Sequence, residues 1–514
     1  AISSSNNNLT AIVSNEYRFP LINISFRSDA FKEDKVLNYI KDTGSEKLEV
    51  SIDENFSAST ATVHWNARSL ENHEFSGFCE LRLPNRSENK TKVELTGSPY
   101  ITGDPVKPNR QMSLYGREQT LSSISRYISD SGNVVLLEGN RRVGKSSILY
   151  HLQSNDYIPG WICVYMSLQE CEGCDVSGIP AWSIWQVMAS QIIQSLIKSG
   201  LEVTLPNGDL ISKEESRFYR TKVNSAVKTT ISKESPFFDF QAYVEELLDG
   251  LKTKQLGLVI MIDEFDKLQE GIDNGVTTPQ VPENIRSIIH RNDNLSAILT
   301  GSRRLQRLRE EYWSALFGLG TRIGVSALAL TDAKKLVTEP VEGLLNYTHE
   351  AVDLIVEQTG QYPFLIQCLC NKIFDIAAST KIYQIDSIFV DKAMSDFIKD
   401  NEHFMYFWNL AGVTPGDTRC QLILFIFARE EQAGNKLTSG ELKETLEENG
   451  VDLTEKQYEQ FINYLLELEL IDRRGEMGEQ IYSLTTPLLS KWLLETQDYS
   501  RVLASARQEF EKDD

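Results

Sequence analysis

From about Phe19 to Leu95, apolar and polar residues alternate in short segments, PLINISF, KLEVSI, TATVHW, FCELRL and KVELT, parted by Asn, Ser, Gly and Pro. A period of two sends successive side chains to opposite faces of a strand, so this stretch predicts a small antiparallel β-sandwich. His64 and Trp65 fall within one such segment, where a core or face position accounts for both. The AISSSNNN that opens the chain is polar and of low complexity, as linkers are. The TGSPYITGDPVKPNR after the last segment (96–110) is rich in Gly and Pro and reads as a second linker.

Beyond it the pattern changes. Apolar runs of a length that suits strands covered on both faces recur at 133–139, 161–168, 257–263, 296–302 and 323–330. Segments of helical period separate them, and this alternation predicts a parallel sheet with helices on its faces. Between the second and third runs, WSIWQVMASQIIQSLIKSG and FQAYVEELLDGLKTK predict a mostly helical insert. Trp182 and Trp185 share one face there, a spacing that points to core packing. Further on, DTRCQLILFIFAREEQ, SGELKETLEENG and TEKQYEQFINYLLELELIDRRGEMGEQIYSL read as three helices and a β-wing, which is the pattern of a winged helix.

A chain of 514 residues exceeds one core and predicts about three to four domains. With no run of eighteen apolar residues and no opening signal peptide, it reads as soluble, with no membrane partner. The start at Ala1 predicts a fragment or processed chain with sequence missing upstream. Seven cysteines (Cys79, Cys163, Cys171, Cys174, Cys368, Cys370, Cys420) are an odd number without framework spacing and fit a reducing cytoplasm. Cys171 and Cys174 could form half a zinc site, but no His cluster stands beside them, and a structural role is expected. The formal net charge of −21 disfavours nucleic acid as a partner. In the third winged-helix segment Asp452, Glu455, Glu459, Glu467 and Glu469 oppose the single Lys456, leaving Arg473 and Arg474 as the remaining DNA-contact candidates.

Candidate chemistry starts after the first apolar run. Gly139, Asn140, Arg141, Arg142, Val143, Gly144, Lys145 and Ser146 match G-x-x-x-x-G-K-[ST], with Ser147 following and a helical segment beginning at Lys145. In such a P-loop the glycines let backbone N–H groups face phosphates, the lysine reaches the β/γ oxygens and the serine hydroxyl joins a Mg²⁺ shell. The third run ends in Asp263-Glu264, where an NTPase needs one carboxylate to hold Mg²⁺ and one to activate water. Asp266 is a secondary candidate, and an acidic helix cap is the plainer reading of DEFD taken alone. The fourth run places Thr300, Ser302 and Arg303 at the same sheet edge, positions suited to touching a γ-phosphate or neutralising transition-state charge. A solvated basic helix start (Arg303, Arg304, Arg307, Arg309) is the alternative.

At these residues the sequence resembles the AAA-related signal-transduction ATPases with numerous domains (STAND), near their archaeal and bacterial ATPase branch. LYGREQTL resembles the family's box beneath the nucleotide base, which implies that Tyr115, Gly116 and Arg117 line the site. GNRRVGKSS, DEFD and TGSRR are similar to its P-loop, Walker B and sensor segments. VSALALTDAKKLVTEPV and TGQYPFLIQCLC resemble its helical lid, with Gly360, Gln361, Tyr362 and Pro363 near nucleotide, although Gly360 and Pro363 depart from strict G-x-P spacing. The likeness covers about 112–495. The fold class it implies is multidomain α/β: an N-terminal β-sandwich (1–100), a P-loop NTPase with a parallel sheet (101–335), a helical lid (336–408), a winged helix (409–497) and an acidic tail (498–514). It also implies ATP/ADP and Mg²⁺ as cofactors, slow hydrolysis, a trigger ligand or protein effector, homo-oligomers on activation with Arg303 or Arg322 as arginine fingers, and by analogy a part in bacterial defence. Two rivals remain: a DNA-associated AAA+ loader or transposition regulator, and an interaction scaffold that keeps nucleotide without turning it over.

Overall fold

A computed structural model of the chain describes residues 4–5, 8–15, 17–51, 53, 60–82, 95, 97–108, 113–130, 134–139, 142–154, 157–171, 173, 177–211, 219–301, 320–399, 402–412, 417–468, 470–475 and 480–513. It falls into two units, Ala1–Glu94 and Leu95–Asp514.

The first unit carries strands β1 (Ser4–Ser5), β2 (Asn8–Ser14), β3 (Leu21–Arg27), β4 (Lys35–Ile40), β5 (Ser45–Ser51), β6 (Thr60–Ser69) and β7 (Glu74–Arg82). They form two antiparallel sheets, ordered β1-β2-β5 and β4-β3-β6-β7. Both sheets feed one core, with Leu21, Ile24 and Phe26 from one and Leu48 and Val50 from the other. The alternation slips once in β3, where the register against β6 shifts between Ile22 and Ser25 and Asn23 takes a left-handed φ of 50°. That bulge restores Ile24 and Phe26 to the inner face. The polar opening is not only a linker, since its Ser4 and Ser5 pair with Leu9 and Asn8. Asn8–Ser14 pairs along its whole length with β5, because LTAIVS supplies apolar residues and Val13 packs against the core. KVELT lies almost wholly outside the described residues.

The second unit is built on a five-stranded parallel sheet of β8 (Val134–Glu138), β9 (Trp161–Ser167), β12 (Gly257–Asp263), β13 (Leu295–Gly301) and β14 (Thr321–Gly324), the hairpin β10 (Val203–Thr204) and β11 (Leu210–Ile211) lying in the insert between β9 and β12. The order is β14-β8-β13-β12-β9, so β13 separates the strand that enters the P-loop from the strand that ends in Asp263. Every residue of β12 and β13 is buried, as a strand covered on both faces requires. Leu136, Met166, Ile260, Ile262 and Leu299 share a core with helices α3 (Ala181–Lys198), α4 (Tyr219–Thr230), α5 (Pro236–Thr253), α6 (Lys267–Asp273) and α7 (Gln280–Arg291). Their neighbours Val135, Leu137, Val259, Met261 and Ile298 face α1 (Glu118–Asp130) and α2 (Lys145–Ser154). Trp185 is buried against Phe237 and Phe240, whereas Trp182 is only half-buried, under the Lys233 ammonium.

Three further expectations are corrected. The run 323–330 continues the sheet only to Gly324, with Val325 N–H still bonded to Glu138 O. Leu328 then leaves for a different core and donates its N–H to Gln361 O, so those apolar residues serve the helices that follow. The linker expected at 96–110 is, over 97–108, a packed strap: Tyr100 is buried with its hydroxyl on Val337 O at 2.6 Å, and Val106 N–H donates to Ser147 Oγ at 3.0 Å. The tail expected at 498–514 is helix Tyr499–Asp513, which buries Ala506 and accepts the Thr418 N–H at Glu509 (2.8 Å).

The helices after the sheet are α8 (Leu330–Thr338), α9 (His349–Gln358), α10 (Pro363–Thr380), α11 (Ser387–Lys399) and α12 (Glu402–Ala411), with α9 and α11 preceded by the two strands of a short parallel pair, β15 (Asn346–Tyr347) and β16 (Gln384–Ile385). They share one continuous core with α13 (Thr418–Gln432), α14 (Ser439–Glu448), α15 (Glu455–Glu467) and α16 (Pro487–Thr496). In that last segment Leu437–Thr438, Ile471–Arg474 and Ile481–Leu484 form a small antiparallel sheet. Helices α14 and α15 each begin with a capping box, at Thr438 and Thr454.

Candidate functional site

Strand β8 runs into Gly139, where an added Cβ would lie 2.2 Å from Val325 O, so only glycine lets the loop leave the sheet here. Gly144 has a φ of 101° and Arg142 a left-handed φ of 68°, and α2 then begins at Lys145. Lys145 is buried and its ammonium donates to Gly139 O at 2.6 Å, closing the loop on itself. Ser146 donates to Asp263 Oδ2 at 2.6 Å. Ser147 holds the strap through Val106, and Val143 O accepts from Arg117. Asn140 and Arg141 lie outside the described residues.

Asp263, at the end of β12, is buried and fully engaged. Oδ1 accepts the Glu264 N–H (3.0 Å) and the Thr300 hydroxyl, and Oδ2 accepts the Ser146 and Tyr165 hydroxyls, the latter at 3.1 Å. Burial, and next the Asp263 charge, push the Tyr165 phenol above its ordinary range, so it stays a donor. Tyr165 stands 4.6 Å from the Tyr150 ring, which lies under the Lys107 ammonium. Glu264 takes a left-handed φ of 56°, a conformation costing a non-glycine residue about 1–2 kcal/mol. The turn lets Asp263 face Ser146 while Phe265, fully buried, donates its N–H to Thr300 O. The Glu264 carboxylate is consequently presented outward, accepting from the Gln169 amide and paired with Lys267 at 3.2 Å.

Arg117 is buried and donates to Val143 O (3.0 Å) and Ser326 O (2.7 Å), tying the P-loop to the segment after β14. Burial lowers its pKa from the ordinary arginine value, opposed by Asp332 and Glu118. Gly116 has a φ of 63°, and a Cβ there would meet Asp332 Oδ2 at 2.9 Å. The Tyr115 phenol is pushed up to about 12 by burial and then by Glu339. Pro363 opens α10, and the Arg142 guanidinium lies 4.3 Å over the next residue's ring, Phe364. All these meet around a cavity of about 460 Å³ lined by the P-loop from Arg142 to Ser147, Asp263, Glu264, Thr300, Tyr115, Arg117 and Pro363.

The fold is shared with a Walker-type ATPase. PABY2304, the Walker-type ATPase of Pyrococcus abyssi, aligns with a TM-score of 0.50 and 17% identity over 76% of this chain and 99% of its own. The ORC2 protein of Aeropyrum pernix, solved as ADPNP-ADP complexes, gives 0.49 and 14% over 82% and 98%, and its ADP form 0.42 and 14% over 78% and 96%. The sequence matches no protein-family profile and no curated protein.

Gly116, Arg117, Arg142, Val143, Gly144, Lys145, Ser146, Ser147, Asp263, Glu264 and Pro363 lie together around the cavity, with Gly139 and Tyr115. Ser302 and Arg303 lie outside the described residues, and Arg322 is exposed on β14. Sequence reasoning missed Tyr165, Gln169 and Lys267, polar residues at or beside strand ends, and the strap residues Ile101 and Val106, whose apolar character inside a Gly/Pro run was the available signal. Ser146 and Asp263 offer two hard oxygens 2.6 Å apart, a donor set that fits Mg²⁺ held jointly with phosphate oxygens. Among the described residues no three or more His, Cys, Asp or Glu side chains are grouped to hold a metal ion. Likewise, no helix of the described residues is long and apolar enough to cross a membrane.

Proposed function

We propose that this chain is a STAND-type regulatory ATPase that binds ATP, hydrolyses it slowly and uses the nucleotide state to set the posture of a helical lid and a winged helix. The carrying observation is that one loop faces both ways. Lys145 and Ser146 address the phosphate end of the cavity, while Arg142, three residues earlier, stacks on Phe364 of the lid. Arg142 also lines a small apolar pocket with Phe404, Leu468, Leu470 and Thr486, which belong to the lid and the C-terminal module. A γ-phosphate that reorders the loop therefore has differential contacts through which to shift a population.

In this reading Lys145 exchanges Gly139 O for β/γ oxygens, and the loop's N–H groups at the start of α2 orient the phosphates. Bound Mg²⁺, held by Ser146 and Asp263, neutralises charge on the phosphates. Glu264 takes the proton of the attacking water, with Gln169 and Lys267 holding its carboxylate until substrate competes for them. Ser302 and Arg303 act as sensor and charge-neutralising residues. The N-terminal β-sandwich receives the trigger, a ligand or partner protein, and the output in the cytoplasm is oligomerisation or release of an effector.

The charge pattern favours a protein-directed output over a DNA-directed one. Glu455 and Glu459 are exposed on α15, and Lys443, which would offset them, is paired with Glu455 at 2.6 Å. The C-terminal module is instead committed to the lid: Gly360, with a φ of 58°, approaches Thr485 so closely that a Cβ would stand 2.6 Å from its carbonyl oxygen. Light scattering with ADP and with a non-hydrolysable ATP analogue, beside duplex-DNA titrations over a salt series, tests the reading. Nucleotide-dependent mass with duplex binding no tighter than about 10⁻⁵ M supports it. Nanomolar, steeply salt-dependent DNA binding with constant mass overturns it.

A further inference from the structure

Gln367 lies one helical turn beyond Pro363 on α10, is 8% exposed and lines the cavity. Its side-chain orientation is fixed by chemistry. A backbone N–H can only donate, and the Ile101 N–H donates to Gln367 Oε1 at 3.1 Å, so the oxygen faces the strap and the –NH₂ group faces the other way. Ile101 is the hydrogen-bond partner of this amide among the described residues, which leaves Nε2 as a donor open to the cavity. The strap also locates Gln367 relative to the phosphates. It is tied to Gln367 at Ile101 and to Ser147, beside the P-loop lysine, at Val106. Five residues of chain span at most about 17 Å, so the two ties lie within one nucleotide's length of each other.

We infer that Gln367 selects the base of the bound nucleotide, presenting its Nε2 donor to N1 of adenine. The inference rests on the nucleotide reading of the same cavity. Adenine N1 accepts a hydrogen bond, whereas guanine carries N1–H at that position and would set donor against donor. A buried donor left facing another donor loses its partner and its hydration together, which is how a polar site rejects a near-isosteric ligand. Gln367 thereby does two jobs with one amide: the oxygen anchors the strap and the nitrogen reads the base.

The test is calorimetric titration of Mg-ADP and Mg-GDP into the full chain, wild type, Gln367→Glu, Gln367→Met and Lys145→Ala, each checked for a cooperative thermal transition. The wild type is expected to prefer ADP at least tenfold. Gln367→Glu retains an acceptor for Ile101 but replaces the donor by an acceptor, so the preference should fall at least tenfold or invert. Gln367→Met, of similar volume and without either group, should bring the two affinities to within about threefold, and it serves if the glutamate variant does not fold. Lys145→Ala should weaken both nucleotides without changing their ratio. A wild type that binds ADP and GDP equally, or Gln367 variants that keep the wild-type ratio, would overturn the base-selection inference alone. A wild type that binds neither nucleotide overturns the nucleotide reading beneath it.

Discussion

On one side of the cavity, Gly139, Gly144, Lys145 and Ser146 fall within eight consecutive residues; on the other, Ile101, Tyr115, Phe364 and Gln367 come from three separate segments. The first side works through backbone geometry and fixed charge, which a short spacing encodes completely. The second works through shape and one or two oriented polar groups, which exist only once the strap and α10 have packed. The two sides should therefore respond differently to mutation. Changes on the phosphate side should abolish binding or chemistry, whereas changes on the lid side should grade affinity, base preference and coupling.

The largest effect is expected from Glu264→Gln. The amide fills the same space but cannot take a proton, so single-turnover ATP hydrolysis should fall about 10²–10⁴-fold with ATP affinity little changed. An unchanged rate would move catalysis away from the phosphate side. Next, Lys145→Ala should weaken Mg-ADP binding about 100-fold in calorimetry, roughly 3 kcal/mol, because a fixed cation is lost where charges meet in a partly desolvated site. Equal affinity would dissolve the distinction between the two sides. On the lid side, Phe364→Ala and Arg142→Ala should each weaken ADP by only a few-fold. Their double-mutant cycle should show coupling of about 0.5–1 kcal/mol, the value of an exposed cation–π pair. Additive effects would mean that the stack carries nothing between loop and lid. The smallest change is expected from Gln169→Ala. It frees one side of the Glu264 carboxylate and should alter steady-state turnover about two- to fivefold without touching affinity, since the Lys267 pair remains.

The same division explains what could be read from the sequence. The P-loop, Asp263 and Glu264 were legible because each sits where an apolar run stops, and a strand's end in a parallel sheet is where ligands bind. The sheet order, with β13 between β8 and β12, was not legible, since runs of buried residues carry no record of their neighbours. Nor was the engagement of Asp263 by Tyr165, because a tyrosine inside WICVYMS reads as one more strand residue until the neighbouring strand is known to be β12. The strap was misread because Gly and Pro signal an irregular path, and an irregular path can be packed as tightly as a helix. Tyr100 and Val106 are both buried. The C-terminal helix was misread for a related reason: Glu511 faces solvent and Glu509 caps α13, while Val502 and Ala506 pack inward.

In the proposed switch, nucleotide on the phosphate side changes the lid and the C-terminal module. Hydrogen exchange on the full chain with ADP and with a non-hydrolysable ATP analogue tests it directly. Amides of 139–147 should be protected by either nucleotide. The turn at Gly360–Tyr362, where Gln361 holds Leu328 and Gly360 meets Thr485, should differ between the two, as should the paired strands Ile471–Arg474 and Ile481–Leu484. Protection confined to the P-loop, with identical exchange at Gly360–Tyr362 and in the hairpin, would contradict the switch and leave the nucleotide as a structural cofactor.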